Sequence, residues 1–175
     1  MSDNVISGYC VRFGDITTIG SDFRERIAPG AFTDSLRDRD IVMLLNHDSG
    51  RVLGRTSAGS LKLVQDRIGL YFSLDVDPTT PEGQTALGTV RRRDVKGCSF
   101  AGRFLEEEWE DGGNLLPLRT VTKVELWEAT LTGFPAYETT SAVLARSADA
   151  PANASAARRR VIEKMERDHR LRGIR

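Results

Sequence analysis

Lys96-Gly97-Cys98-Ser99-Phe100-Ala101-Gly102-Arg103-Phe104 alternates in the period of a β-strand with one buried face. Cys98, Phe100, Gly102 and Phe104 fall on one side, and Ser99, Ala101 and Arg103 on the other. On its own face Ser99 is flanked only by a small residue and a cation. That leaves room for a substrate carbonyl and offers positive charge to a developing oxyanion. Ser99 is therefore a candidate nucleophile; the alternative reading is a polar residue on a strand's solvated face. Cys98 brings a thiol beside it, but a face shared with Phe100 and Phe104 assigns that thiol to the core.

Outward from this strand, the flanking segments are short and bounded by turns. Upstream, Thr80 can cap a helix with Pro81 in its first position and Ala86, Leu87 and Val90 on one face. Arg91-Arg92-Arg93 closes it, where cations suit the helix dipole; a solvated helix end is preferred here to a nucleic-acid patch. Residues 6–13, 23–27, 41–45, 52–54, 60–64 and 69–76 read as strands separated by Gly and Asp turns. A short helix over 29–36 puts Phe32 and Leu36 on one face. Ile41-Val42-Met43-Leu44-Leu45 is apolar throughout, a strand covered on both faces. Downstream, 106–114 reads as a polar hairpin tip and 119–134 as a closing strand rich in Val, Thr and Leu. The fold class is mainly β with a few helices, in the hairpin grammar of a barrel.

Composition sets the outer limits. A chain of 175 residues, 39% hydrophobic and 29% charged, has the makeup of one ordinary domain with a short appendage. No apolar run approaches the length of a membrane span, and Met1-Ser2-Asp3-Asn4 lacks the basic start and apolar block of a secretory signal. The expected location is the cytoplasm, with no membrane partner. Cys10 and Cys98 make no disulfide framework, and no Cys/His spacing suits zinc, so neither metal nor cofactor is expected. The formal net charge of zero hides an asymmetry. Residues 158–175 carry eight Arg or Lys against three acids, leaving an acidic body. The expected organisation is a β domain over 1–146, a flexible Ala/Ser/Pro linker over 147–157 and a basic helical tail over 158–175.

A serine nucleophile needs a base, and the chain has two histidines, one of them His169 in the tail. If Ser99 reacts, its base is His47, which follows the buried strand 41–45 in Asn46-His47-Asp48. A structural histidine bonded to a neighbour is the alternative. A third group must hold the imidazole's tautomer, and with no further histidine in the body it must be a carboxylate.

The sequence resembles the prohead (capsid maturation) proteases of tailed bacteriophages, which are related in fold to the herpesvirus assemblin proteases. The likeness spans about residues 5–145. It is carried by Ile27-Ala28-Pro29-Gly30-Ala31-Phe32, by Leu44-Leu45-Asn46-His47-Asp48 leading into Val52-Leu53-Gly54-Arg55, and by Asp66-Arg67-Ile68-Gly69-Leu70. Gly97-Cys98-Ser99-Phe100 and Glu128-Ala129-Thr130-Leu131-Thr132-Gly133-Phe134-Pro135-Ala136-Tyr137 complete it. The resemblance implies a closed or nearly closed β-barrel of the herpesvirus-protease type, with Ser99 as nucleophile and His47 as base. Assemblins use a second histidine as third member, which this body lacks. Glu128, in the family's acidic position, is the substitute, and Asp48 is disfavoured because adjacent side chains on a strand end diverge. Thr130 stands where relatives tend to have serine. Arg103 and Phe100 are the candidate oxyanion or substrate contacts.

The implied activity is that of a serine endopeptidase cleaving capsid or scaffold precursors inside the assembling prohead, and also itself, with homo-oligomers possible. No nucleic acid is expected as primary ligand. The competing class is a noncatalytic β-barrel scaffold or capsid-binding module with the basic tail as its arm. A nucleophile-elbow esterase is disfavoured, because Gly97-Cys98-Ser99-Phe100-Ala101 lacks that motif's second glycine.

Overall fold

The computed structural model describes residues 4–144. In chain order these form β1 (Val5–Arg12), β2 (Thr17–Ile19), β3 (Phe23–Ile27), α1 (Thr33–Asp38), β4 (Val42–Leu45), β5 (Asp48–Arg55), β6 (Leu61–Gln65), β7 (Gly69–Asp75), α2 (Pro81–Arg92), β8 (Gly97–Glu110), β9 (Leu118–Thr132) and β10 (Ser141–Leu144). The fold is mainly β with two helices. The linker expected over 147–157 and the basic tail over 158–175 lie outside the described residues.

Local chemistry explains the helices. The Thr80 hydroxyl accepts the Gly83 N–H, Pro81 opens α2, and Arg93 closes it in the left-handed region at φ 67°. Ala86, Leu87 and Val90 bury the face that their spacing predicts. The expected hairpin tip at 106–114 is corrected: β8 continues to Glu110 because β9 supplies ladder partners that far, pairing Glu110 with Leu118. β2 and β10, of three and four residues, are too short to show a period in sequence.

β9 organises the rest. β8 lies antiparallel along one edge, while the other edge is shared by two parallel partners, β3 against its first residues and β4 against its last. α1 fills the gap between those partners. The buried Ser35 hydroxyl donates to Val124 O at 2.8 Å and accepts from Leu126 N at 2.9 Å, so one side chain satisfies two backbone groups that the interrupted ladder leaves over.

The strands divide into two sheets, one ordered β10-β1-β7-β6 and one ordered β2-β3-β9-β4-β5 with β8 on β9. The expectation of a closed or nearly closed barrel holds only as far as the mainly β class, and no closed barrel forms among the described residues: no ladder joins the outer strands of the two sheets, which are linked by isolated backbone bonds, Ala142 N to Lys96 O at 2.9 Å and Gly14 N to Ile27 O at 3.0 Å. Between the sheets lies one apolar core. Ile6, Phe72 and Leu74 meet Ile27, Met43, Leu126 and Leu131 there, with Phe32 beside them. At one end, Glu25 is buried yet satisfied. Arg119 donates to one carboxylate oxygen and the Tyr137 hydroxyl to the other, while the Arg119 guanidinium lies 4.5 Å from the Phe23 ring centroid. Among the described residues, no helix is long and apolar enough to cross a membrane.

Candidate active site

Ser99 sits near the start of β8, before its first register shift, directly opposite Thr130 of β9. Cross-strand partners share a face, so Ser99, Thr130 and Glu128 all lie on the side of the sheet away from Cys98, Ala129 and Leu131, which enter the core. Thr130 also pairs with Leu44 of β4, and Leu44 with Val52 of β5. Ser99, Thr130, Leu44 and Val52 thus form one row across four strands. Leu44 is buried but stands apart from the main core cluster, and Val52 is exposed. Ser99 is 6% exposed, and its hydroxyl makes no hydrogen bond among the described residues.

β4 delivers His47 to this face. Asn46 and His47 both adopt left-handed backbone, at φ 55° and 57°. For residues with a Cβ that costs roughly 1–2 kcal/mol each. Two hydrogen bonds to β9, worth about 1 kcal/mol each net, offset much of it. Asn46 N donates to Leu131 O at 2.9 Å, and His47 N to Thr130 Oγ1 at 2.9 Å. The turn brings His47 Nδ1 to 2.5 Å from Glu128 Oε1. A register skip in the β8–β9 ladder helps to aim that carboxylate: Ala101 opposes Glu128 and Gly102 opposes Leu126, leaving Trp127 without a partner. Glu128 is 16% exposed and His47 44%, so the carboxylate end of the contact is the drier one. With Nδ1–H donated to Glu128, Nε2 is the nitrogen free to take a proton.

The other candidate residues do not converge here. Arg103 shares the outward face of β8 but pairs with Glu125 at 3.1 Å and is 65% exposed. Four residues of strand, about 13 Å, separate it from Ser99. Arg103 is thus held by Glu125 and not by Ser99 in this structure. Phe100 faces inward by alternation, where it packs edge-on against Phe32 and stacks on Tyr137. Cys98 is fully buried with Sγ 3.3 Å from Cys10 Sγ, and burial pushes the Cys10 thiol's pKa up, so neither thiol competes with the serine. Asp48 accepts the Gly50 amide instead of facing the imidazole. Among the described residues, no group of three or more His, Cys, Asp or Glu could hold a metal ion.

The residue that sequence reasoning missed is Thr130. Its place where relatives tend to have serine was the available signal, but its position opposite Ser99 and its bond to the His47 amide were not legible. Thr130→Val, which keeps the shape and removes the acceptor, is expected to lower turnover about 10-fold with little change in KM, and Thr130→Ser to restore it. Steady-state kinetics on all three proteins would check this.

A structural comparison finds the KSHV protease, solved in complex with a hexapeptide phosphonate inhibitor, similar in fold. The TM-score is 0.52 and the identity 11%, over 91% of this chain and 76% of that one. No curated protein matches the chain in sequence. The family model for the caudovirus prohead serine protease matches residues 1–154. With that match covering most of its length, the chain belongs to the caudovirus prohead serine protease family and is a serine peptidase.

Proposed function

We propose that Ser99 is the nucleophile of this peptidase, His47 its general base and Glu128 the positioning carboxylate. The observation that carries the reading is the 2.5 Å contact of His47 Nδ1 with Glu128 Oε1 on the face of β9 that Ser99 shares. Glu128 holds the proton on Nδ1, so Nε2 takes the Ser99 hydroxyl proton as Oγ bonds to the scissile carbonyl carbon. The imidazolium, stabilised by the carboxylate, then protonates the departing amine as the C–N bond breaks. Water repeats the sequence and releases the acyl group. Some closure of His47 on Ser99 accompanies substrate binding, since no hydrogen bond joins them in the free protein.

The substrates are capsid or scaffold precursors within the assembling prohead in the host cytoplasm, as the family's description supports. The basic surplus over 158–175, opposite in sign to the body, suits an arm that holds the protease to an acidic partner during assembly. The segment between Arg146 and Arg158 is a self-cleavage target, because copies confined together meet each other's linkers at high effective concentration. Intact masses test the whole reading. Wild type co-expressed with the phage's own capsid precursor is expected to shorten the precursor and itself, and Ser99→Ala to leave both at full length. Identical full-length masses in the two cultures defeat it.

A further inference from the structure

The connection between β9 and β10 forms a wall beside Ser99 and is pinned at four points. Phe134 N donates to Thr132 Oγ1 at 3.2 Å. Pro135 covers Gly97 so closely that a Cβ there would meet Pro135 Cγ at 2.5 Å. The Tyr137 hydroxyl is bonded to the buried Glu25, and burial, then that bond, keeps the phenol's pKa high, so Tyr137 stays a donor. Thr140 Oγ1 accepts the Cys98 amide at 3.2 Å. Gly97 lies two residues from Ser99, on the same face by alternation and opposite Thr132. The wall therefore begins about 7 Å from the serine along the strand.

On this fixed wall Phe134 is 96% exposed. Its neighbours Pro135 and Tyr137 are held down, yet its ring contributes nothing to the core. A large apolar side chain held out in water, one residue from the proline that covers Gly97, has surface to bury against whatever lies along that end of β8. An extended peptide advances about 3.3 Å per residue, so the start of this wall at Gly97, about 7 Å from the serine, lies level with the side chain two positions from the scissile bond.

We propose that Phe134 is a specificity-determining residue: it selects extended peptides carrying a large apolar side chain within two positions of the cleaved bond. This rests on Ser99 being the nucleophile, and the test separates the two claims. Full-length wild type, Phe134→Ala and Phe134→Leu would first be labelled with a fluorophosphonate, then offered a proteome-derived peptide library whose new termini are read by mass spectrometry. All three are expected to label at Ser99 at equal rates, because an exposed ring supports neither fold nor nucleophile. Wild type and Phe134→Leu are expected to favour Leu, Ile, Met or Phe at one position within two of the cut. Phe134→Ala is expected to lose that preference, with kcat/KM falling about 10-fold on such peptides and staying unchanged on those without the side chain. Failure to label Ser99 in wild type overturns the nucleophile assignment. Normal labelling with no apolar preference in wild type, or with the same preference in Phe134→Ala, overturns the role of Phe134 alone.

Discussion

Ser99→Ala and His47→Ala are each expected to lower peptide hydrolysis by on the order of 10⁶-fold, because a nucleophile and its base act as one unit and losing either removes the whole covalent route. The fold should survive both changes. Ser99 gives up no hydrogen bond. At His47, alanine keeps the amide that donates to Thr130 and gives up only a side-chain contact with Glu128, whose imidazole partner is 44% exposed, whereas glycine would add a change in backbone freedom. Urea unfolding should therefore place both variants within about 1 kcal/mol of wild type. Fluorophosphonate labelling separates the roles. Ser99→Ala should take no label, and His47→Ala should label far more slowly, since the probe needs an activated hydroxyl. A folded His47→Ala that labels at the wild-type rate would remove histidine from the mechanism.

Glu128→Gln carries the second largest expected effect. The amide preserves size, yet it lacks the charge that stabilises an imidazolium, and its NH₂ group can turn to Nδ1 and favour the wrong tautomer. Turnover should fall by about 10³- to 10⁴-fold, with KM changed far less, because the carboxylate acts on the transition state rather than on the bound peptide. Stopped-flow or discontinuous assays of kcat and KM would show the split. Near-normal turnover would mean that the 2.5 Å contact orients the ring for no catalytic purpose and that water or backbone stabilises the cation.

The part of this protein written in its sequence is the part governed by short-range periodicity. The two-residue period around Ser99 put Cys98 and Phe100 inward and the serine outward, because neighbouring side chains on a strand must point to opposite faces. The capping threonine, first-turn proline and spaced apolar residues of α2 were legible for the same reason. A count of histidines sufficed to nominate His47. Periodicity could not say which carboxylate meets it: the family resemblance nominated Glu128, and the tertiary structure shows the contact. Glu128 and His47 are 81 residues apart, and only the parallel pairing of β4 with β9, together with the unpaired Trp127, brings one onto the other. Arg103 shows the converse: alternation assigned its face, but only the tertiary structure shows its pairing with Glu125 four residues along the strand from Ser99. Barrel closure also lay beyond the sequence. Each strand carries an apolar pattern that says it pairs, but not with which neighbour, and among the described residues the outer strands of the two sheets form no ladder with each other.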